Sequence, residues 1–206
     1  MQPHVPVNHG TSPTKLLRSL NGDGPFGIAL LVGIGLLLLP LLGGNGLRLA
    51  WRYQRDALAE GEIWRTLTAH VVHLDAGHAL LNAVGLVLLW GLFARTWNPR
   101  QWLFAVMLSL LAINLGFWFL SPRLQWYVGA SGLLHGVFAC GCIALLRERD
   151  WIGAIATVLF IAKLAWEHWM GPLPFEQGGA VVTVAHLYGA LGGFISGLAM
   201  AAILRR

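Results

Sequence analysis

Six long apolar stretches, separated by short polar breaks, constrain this chain more than any other sequence feature. They lie near residues 26–42, 77–93, 102–120, 131–146, 151–169 and 181–204. A bilayer core of about 30 Å requires roughly 20 apolar residues per helix. Only 11% of the residues are charged and 56% are hydrophobic, whereas about a quarter of a soluble globular domain is charged. The sequence therefore predicts an all-α membrane protein with six transmembrane helices.

The domain organisation follows from the breaks between the stretches. Proline and glycine end several of them, as at Pro40, Asn98-Pro99, Ser121-Pro122 and Gly171-Pro172. We expect residues 26–206 to form one membrane domain and residues 1–25 to form a flexible tail. Within the domain, residues 43–76 mix aromatic residues with arginines, which is typical of an external connection seated at the lipid interface.

The basic residues predict the orientation in the membrane. The net charge is +5, but single scattered charges are unlike the clustered patch of a nucleic-acid-binding protein, and we predict no nucleic-acid partner. One set of connections and ends carries Lys15, Arg18, Arg95, Arg100, Arg147, Arg149, Arg205 and Arg206. The other set carries Arg48, Arg52, Arg55, Arg65 and Arg123, diluted by Asp56, Glu60 and Glu62. Because cytoplasmic loops are enriched in Lys and Arg, both termini are predicted to be cytoplasmic, with the second, fourth and sixth helices beginning at the outer face.

A candidate nucleophile opens the fourth stretch. Ser131 stands in the run Gly129-Ala130-Ser131-Gly132, which is a weak pattern by itself. A serine at a helix N-terminus lies among unpaired backbone N–H groups at the positive end of the helix dipole, and these favour a developing oxyanion. The alternative interpretation is a helix cap or a small packing residue.

A candidate general base lies near the start of the sixth stretch. His186 is followed by no other ionisable residue until Arg205, and an ionisable side chain inside a membrane helix is a functional candidate. Gly189, Gly193 and Gly197 repeat at four-residue spacing, so their small face permits close helix approach. The predicted topology places His186 at the depth of Ser131. The alternative is a packing seam in which His186 makes only an interhelical hydrogen bond.

Histidines cluster before and within the second stretch. His78 and Asn82 are four residues apart, hence on one helix face, and both side chains can donate hydrogen bonds to an oxyanion. His70, His73 and His78 with Asp75 offer a competing zinc interpretation. Neither an HExxH pattern nor a second carboxylate accompanies them. We therefore predict no metal and no cofactor.

Taken together, these motifs resemble the rhomboid family, and within it the bacterial rhombosortases. Four features match in order: Trp64-Arg65, His73-x4-His78-x3-Asn82, Gly129-Ala130-Ser131-Gly132, and Ala185-His186-x2-Gly189-x3-Gly193. They span residues 64–197, most of the chain. The resemblance implies a six-helix rhomboid-like bundle and an intramembrane serine endopeptidase.

The resemblance also implies a role for each matching residue. Ser131 is the nucleophile and His186 the base, without an acidic third member; His78, Asn82 and the Ser131 backbone N–H hold the oxyanion. His73 matches a structural histidine that bonds in the external connection, and Trp64 and Arg65 match positions that anchor it. Gly129, Gly132 and Gly189 support the site.

One position departs from the family pattern. Many rhomboids carry a tyrosine four residues after the nucleophile, where it stacks on the base, whereas this chain has His135. His135 shares a helix face with Ser131 and is a rival base, but we expect His186 because the family pair joins two helices. The run GASGLLHG is similar to the rhombosortase version. It implies membrane-anchored protein substrates with Gly-Gly-containing C-terminal sorting tails, cut at the periplasmic side of a bacterial inner membrane.

Two other functional classes compete with a protease. A non-catalytic rhomboid-like protein would bind membrane clients, although the presence of Ser131 and His186 together argues against it. A small transporter would use His186 and Lys163 to line a polar path, although no inverted repeat is visible. We expect Lys163 to pair with Glu167 one turn later. By resemblance, the fifth helix and residues 171–179 form the gate.

Overall fold

The computed structural model describes residues 13–172 and 182–203, which are helical throughout except for short connections. The helices are α1 Pro13–Ser19, α2 Gly24–Leu38, α3 Gly44–Trp51, α4 Arg55–Ala59, α5 Arg65–Thr68, α6 Ala76–Phe93, α7 Pro99–Leu115, α8 Ser131–Arg147, α9 Trp151–Met170 and α10 Thr183–Ile203. Two strands, β1 Tyr53–Gln54 and β2 Trp126–Tyr127, pair antiparallel. Parts of the predicted tail and gate loop, residues 1–12 and 173–179, lie outside the described residues.

The predicted all-helical membrane architecture is confirmed. Five described helices are long and apolar enough to cross a membrane: Gly24–Trp51, Ala76–Phe93, Pro99–Leu120, Trp151–Met170 and Thr183–Ile203. α8 is also apolar but has 17 residues, which corresponds to a length of about 26 Å at 1.5 Å per residue. The fourth predicted helix, residues 131–146, is therefore present but is shorter than a full span.

The first predicted helix, near residues 26–42, ends close to the break that Pro40, Gly43 and Gly44 predicted. The regular α-helix ends at Leu38, and a 3-10 turn over Leu39–Gly43 leads directly into α3. Pro40 lies in the first turn of that segment, where a missing N–H breaks no helical hydrogen bond. The α-helix therefore ends just before the proline, and Gly44, with φ +59° and ψ −152°, separates the 3-10 turn from α3.

Glycines bring α8 and α10 into backbone contact. A Cβ added at Gly189 would lie 1.9 Å from the carbonyl oxygen of Gly132, and one added at Gly193 would lie 1.9 Å from that of Gly136. The small face expected on the sixth helix thus meets a matching pair of glycines on α8, which the sequence pattern alone did not reveal. We call Gly132, Gly136, Gly189 and Gly193 the glycine seam.

Arginines bond residues 44–75 to helix ends. We call this segment the outer connection, after its predicted orientation. The Arg65 guanidinium donates to the carbonyl oxygens of Leu49 at 2.8 Å and Arg52 at 3.0 Å, where α3 ends. Arg55 donates to the carbonyls of Phe117, Ser121 and Leu124, next to the π turn Gly116–Leu120 that closes α7. Each arginine satisfies carbonyl groups that a helix C-terminus leaves unpaired.

The short β-ladder connects this outer connection to the segment before α8. Tyr53 lies opposite Tyr127, and both side chains are buried in a cluster with Ile113, Phe117 and Ala185. Because strand pairing fixes the register of the two segments, the ladder sets how the chain enters α8 at Ser131.

Candidate active site

The turn before Ser131 is held from three sides. The Gly129 N–H donates to the carbonyl of Ala69 at 2.9 Å, and the Tyr127 hydroxyl donates to the Gly129 carbonyl at 2.6 Å. Gly129 has φ +122°, and a Cβ there would lie 2.8 Å from Cε1 of His78. Only glycine combines this backbone conformation with such close approach of a ring.

Ser131 and His186 meet at one end of the glycine seam. Ser131 is the first residue of α8, and its Oγ lies 2.9 Å from Nε2 of His186. His186 is in the first turn of α10 and is 1% exposed. The contact depends on backbone proximity, since a Cβ on Gly132 would lie 2.9 Å from the Ala185 carbonyl oxygen. The two residues that the sequence singled out are therefore at hydrogen-bond distance.

A carboxylate lies behind the imidazole. Nδ1 of His186 is 2.9 Å from Oε2 and 3.0 Å from Oε1 of Glu167 on α9. The resemblance implied no acidic third member, whereas here a carboxylate contacts the ring nitrogen opposite Ser131. The predicted Lys163–Glu167 ion pair is confirmed, but it is only one of the contacts that Glu167 makes. The missed signal was a carboxylate within an apolar helix, which is rare without a specific partner.

His135 stacks on the imidazole of His186. The two ring centroids are 4.0 Å apart with an interplanar angle of 6°, in the place that the family resemblance assigned to a stacking tyrosine. Nδ1 of His135 is 2.7 Å from the Ser131 backbone carbonyl oxygen. The hydroxyl of Ser131 instead meets His186, so the geometry favours His186 over His135 as the base.

His78 and Asn82 lie on one face of α6 beside the Ser131 turn. Asp75 caps this helix by accepting from the His78 backbone N–H at 2.8 Å, and the His78 ring packs against Gly129. Asn82 is buried, and its Nδ2 donates to the His78 carbonyl at 2.9 Å. An amide nitrogen has two hydrogens, so this bond uses one donor of Asn82.

Comparisons with known proteins identify the family of the chain. Residues 60–204 match the sequence profile of the rhomboid domain, which covers most of the chain. The chain belongs to the rhomboid family. One similar protein is "Putative rhomboid protease YdcA" of Bacillus subtilis (strain 168), which is 28% identical over 138 residues, or 67% of each chain. Rhomboids act on membrane proteins within the bilayer, and this chain is a multi-pass membrane protein of that protease family.

The rhomboid site brings donor atoms of His135, Glu167 and His186 within 4.8 Å of one another, a spacing that invites a metal interpretation. The geometry does not fit zinc, because the two imidazoles are stacked nearly parallel and their in-plane lone pairs do not converge on one point. Nε2 of His186 is directed at Ser131. The cluster is better described as a hydrogen-bonded chain than as a ligand set.

His70 and His73 are both buried, and among the described residues His73 lacks the hydrogen bond that the resemblance implied for it. Neither ring nitrogen of His73 meets a partner within residues 13–172 and 182–203, and its ring packs edge-on against His78 at 5.1 Å. Burial lowers the pKa of His73 to about 4, and burial lowers that of His70 to about 4 as well. Desolvation thus favours neutral rings that serve as packing.

Of the expected anchoring pair, Arg65 makes the polar contacts. It is buried and bonds Glu62 at 2.6 Å in addition to the two carbonyls at the end of α3. The Trp64 side chain is 49% exposed, and its carbonyl accepts from Leu67 at 2.9 Å and Thr68 at 3.0 Å. Arg65 therefore ties α5 to α3, whereas Trp64 presents its ring outward.

Proposed function

We propose that this rhomboid is an intramembrane serine endopeptidase in which Ser131 attacks a peptide carbonyl and His186 is the general base. The observation that supports the proposal is the 2.9 Å separation between Ser131 Oγ and His186 Nε2. That distance is within the range for proton transfer between a nucleophile and its base. Both groups lie inside an apolar helical protein, where an ionisable side chain is otherwise costly.

The reaction divides into two acyl transfers. Nε2 of His186 takes the Ser131 proton as Oγ bonds to the carbonyl carbon, and the same nitrogen then protonates the leaving amine. Water, activated by His186, hydrolyses the acyl-enzyme and releases the new carboxyl end. Ser131 regains its proton at the end of the cycle.

The oxyanion is held by the Ser131 backbone N–H, His78 and Asn82. A first-turn N–H has no intrahelical acceptor, and Ser131 begins α8. The contact of His78 with Gly129 supports its part, since it sets an imidazole beside the same turn. For Asn82, the support is a buried amide one turn along the same face of α6.

The protein is proposed to span a bacterial inner membrane with six helices and both termini in the cytoplasm. The distribution of basic residues supports this orientation. The site then opens to the periplasmic side, with residues 43–76 at that interface. Because α8 is short, its first residue, Ser131, can lie below the membrane surface.

The proposed substrates are membrane-anchored proteins with a Gly-Gly-containing C-terminal sorting tail. Glycine costs helix stability of about 1 kcal/mol per residue relative to alanine. A Gly-Gly break therefore frees an extended segment to enter a site lined by helices. The resemblance of GASGLLHG to the rhombosortase run supports this choice of client.

The test is co-expression with two exported reporters. One carries Gly-Gly, an apolar helix and an Arg-rich tail; its matched control replaces Gly-Gly by Leu-Leu. Wild type is expected to cut the first reporter, whereas Ser131→Ala and His186→Ala lose cleavage by at least about 10³-fold. His135→Ala should retain measurable cleavage because His135 bonds the Ser131 carbonyl and not its hydroxyl.

The outcomes separate the parts of the proposal. Cleavage of the Leu-Leu control at the same rate would contradict the proposed specificity for sorting tails, but the proposed protease activity would stand. Cleavage of a reporter by Ser131→Ala at the wild-type rate would overturn the assignment of the nucleophile. If wild type cuts neither reporter nor a generic single-span substrate but binds them, the client-binding alternative replaces the protease.

A further inference from the structure

We infer that Glu167 is a positioning residue that fixes the tautomer and orientation of His186, so that the site consists of Ser131, His186 and Glu167. The inference rests on the proposed protease function and deepens it. The order along the chain is Ser131 on α8, Glu167 on α9 and His186 on α10, so three consecutive helices each supply one member.

The geometry forms a continuous hydrogen-bonded line. Ser131 Oγ is 2.9 Å from Nε2 of His186, and the opposite ring nitrogen, Nδ1, is 2.9 Å from Glu167 Oε2. Both oxygens of the carboxylate lie within 3.0 Å of Nδ1. Glu167 is 4% exposed, so water does not compete freely for these contacts.

The contact with Glu167 determines which ring nitrogen of His186 carries the proton. An ionised carboxylate only accepts hydrogen bonds, so Nδ1 must carry the proton in that contact. In the neutral ring the lone pair then lies on Nε2, facing Ser131. As the base takes the serine proton, the imidazolium that forms is adjacent to a negative charge. In soluble serine proteases, a buried aspartate stands in the same relation to the catalytic histidine.

Lys163 supports the ionised state of the carboxylate. Its ammonium group pairs with Glu167 Oε1 one helical turn away, while Oε2 faces His186. A buried carboxylate without a cation would tend to become protonated. A protonated Glu167 would be able to donate to Nδ1 and stabilise the wrong tautomer.

The location of Glu167 makes the base depend on α9. Near its beginning, α9 packs tightly on α8, where a Cβ on Gly153 would lie 2.3 Å from Cβ of Leu145. Its middle packs through Phe160, whose ring is 4.6 Å from that of Phe138. Glu167 is in the last turn, so the seating of the outer end of α9 against α10 sets the environment of His186.

The first experiment measures kcat and KM separately with the purified full chain in micelles and the Gly-Gly reporter. Glu167→Gln keeps the volume and removes the charge; we expect kcat to fall about 10²–10⁴-fold with KM within about twofold of wild type. Glu167→Asp keeps the carboxylate and should recover at least about tenfold of that loss. The matched control is Glu60→Gln, an exposed carboxylate of the outer connection, which should leave kcat unchanged.

A second measurement needs no change at Glu167. Nitrogen-15 NMR of wild type labelled at histidine, with His186 assigned by its absence in His186→Gln, reports which ring nitrogen carries the proton. At neutral pH we expect protonated Nδ1 and unprotonated Nε2. This readout also covers the case in which Glu167 variants fail to fold.

The outcomes distinguish this inference from the function it rests on. A Glu167→Gln protein with wild-type kcat, or a His186 protonated on Nε2 instead, overturns the inference while Ser131-dependent cleavage stands. Equal loss in Glu167→Gln and Glu167→Asp with a raised KM also overturns it, because that pattern indicates a packing role. Absence of any Ser131-dependent cleavage by wild type overturns the protease function itself.

Discussion

The glycine seam and the outer connection both place residues at the site, yet they are stabilised by opposite means. In the seam, Gly189 and Gly132 let two backbones touch without side chains between them. In the outer connection, Arg65 and Arg55 reach across space to carbonyls at helix ends. The seam depends on the lack of side chains between two helices, whereas the outer connection depends on charged side chains.

Because of this difference, we expect the stability of the two regions to respond differently to pH and salt. Close backbone packing depends on shape, so pH and salt should affect the seam little. Charge-assisted bonds and buried neutral histidines depend on protonation, so the connection should respond to both charge removal and acid. The proposed catalytic pair, Ser131 and His186, lies on the seam side, whereas the turn before Ser131 is bonded to Ala69 of the connection.

The largest effect is expected from volume added to the seam. Gly189→Ala places a Cβ 1.9 Å from the Gly132 backbone oxygen, which cannot rotate away, so α8 and α10 must separate. We expect a loss of about 3 kcal/mol or more in the free energy of unfolding together with loss of cleavage. Thermal unfolding in micelles and the reporter assay measure the two effects.

The matched control is Gly91→Ala on α6, where an added Cβ meets no atom within 4 Å. There alanine should stabilise the helix by about 1 kcal/mol. Equal effects at the two glycines would show that α8 and α10 do not approach as closely as described.

Removing the buried arginine should have the next largest effect. Arg65→Ala deletes the donors to the Leu49 and Arg52 carbonyls and to Glu62. We expect a loss of about 2–3 kcal/mol in the free energy of unfolding, measured by thermal unfolding. The exposed Arg123 provides the control, and Arg123→Ala should change stability by less than about 0.5 kcal/mol. Comparable losses for both arginines would contradict the anchoring role of Arg65.

Acid should destabilise the outer connection. Burial lowers the pKa of His70 and His73 to about 4 from the ordinary 6.5. Between those pH values the histidines bind protons in the unfolded chain but not in the folded chain. The free energy of unfolding therefore falls as pH falls from about 6.5 towards 4. At pH 5 each residue should cost about 1–2 kcal/mol relative to pH 8. Thermal unfolding at the two pH values measures the change.

A double variant isolates the two histidines. His70→Asn with His73→Asn should flatten the dependence of stability on pH between 5 and 8, whatever its effect at pH 8. A double variant that keeps the full dependence would assign it to other groups and would remove the proposed contrast with the seam.

The smallest effect is expected from Glu62. Its carboxylate pairs with Arg65, and its side chain is 34% exposed, so solvent screens the pair. Glu62→Gln should lower the free energy of unfolding by about 0.5 kcal/mol, with a smaller difference from wild type at 1 M salt. A loss as large as that of Arg65→Ala would show that the ion pair with Glu62, and not the bonds to the carbonyls, provides most of the stabilisation by Arg65.

Particular residues show how far sequence reasoning reached. Ser131 and His186 could be placed at one depth because helix ends, charge asymmetry and glycine spacing are local patterns. Glu167 was assigned only its neighbour Lys163, since a helical period reveals contacts within one helix and says nothing about another. The end of the first helix near Pro40 could also be placed, because proline and glycine act on the local backbone.

The sequence by itself determined that this chain is a helical membrane protein that resembles the rhomboid family. The length of the apolar stretches and the order of the motifs can both be read directly from the chain. Only the tertiary structure decided which residues meet across helices. It set Glu167 behind His186, His135 on its ring face and Arg65 on the carbonyls of α3. These contacts depend on the rotation and separation of packed helices, to which neighbours far apart in the chain contribute.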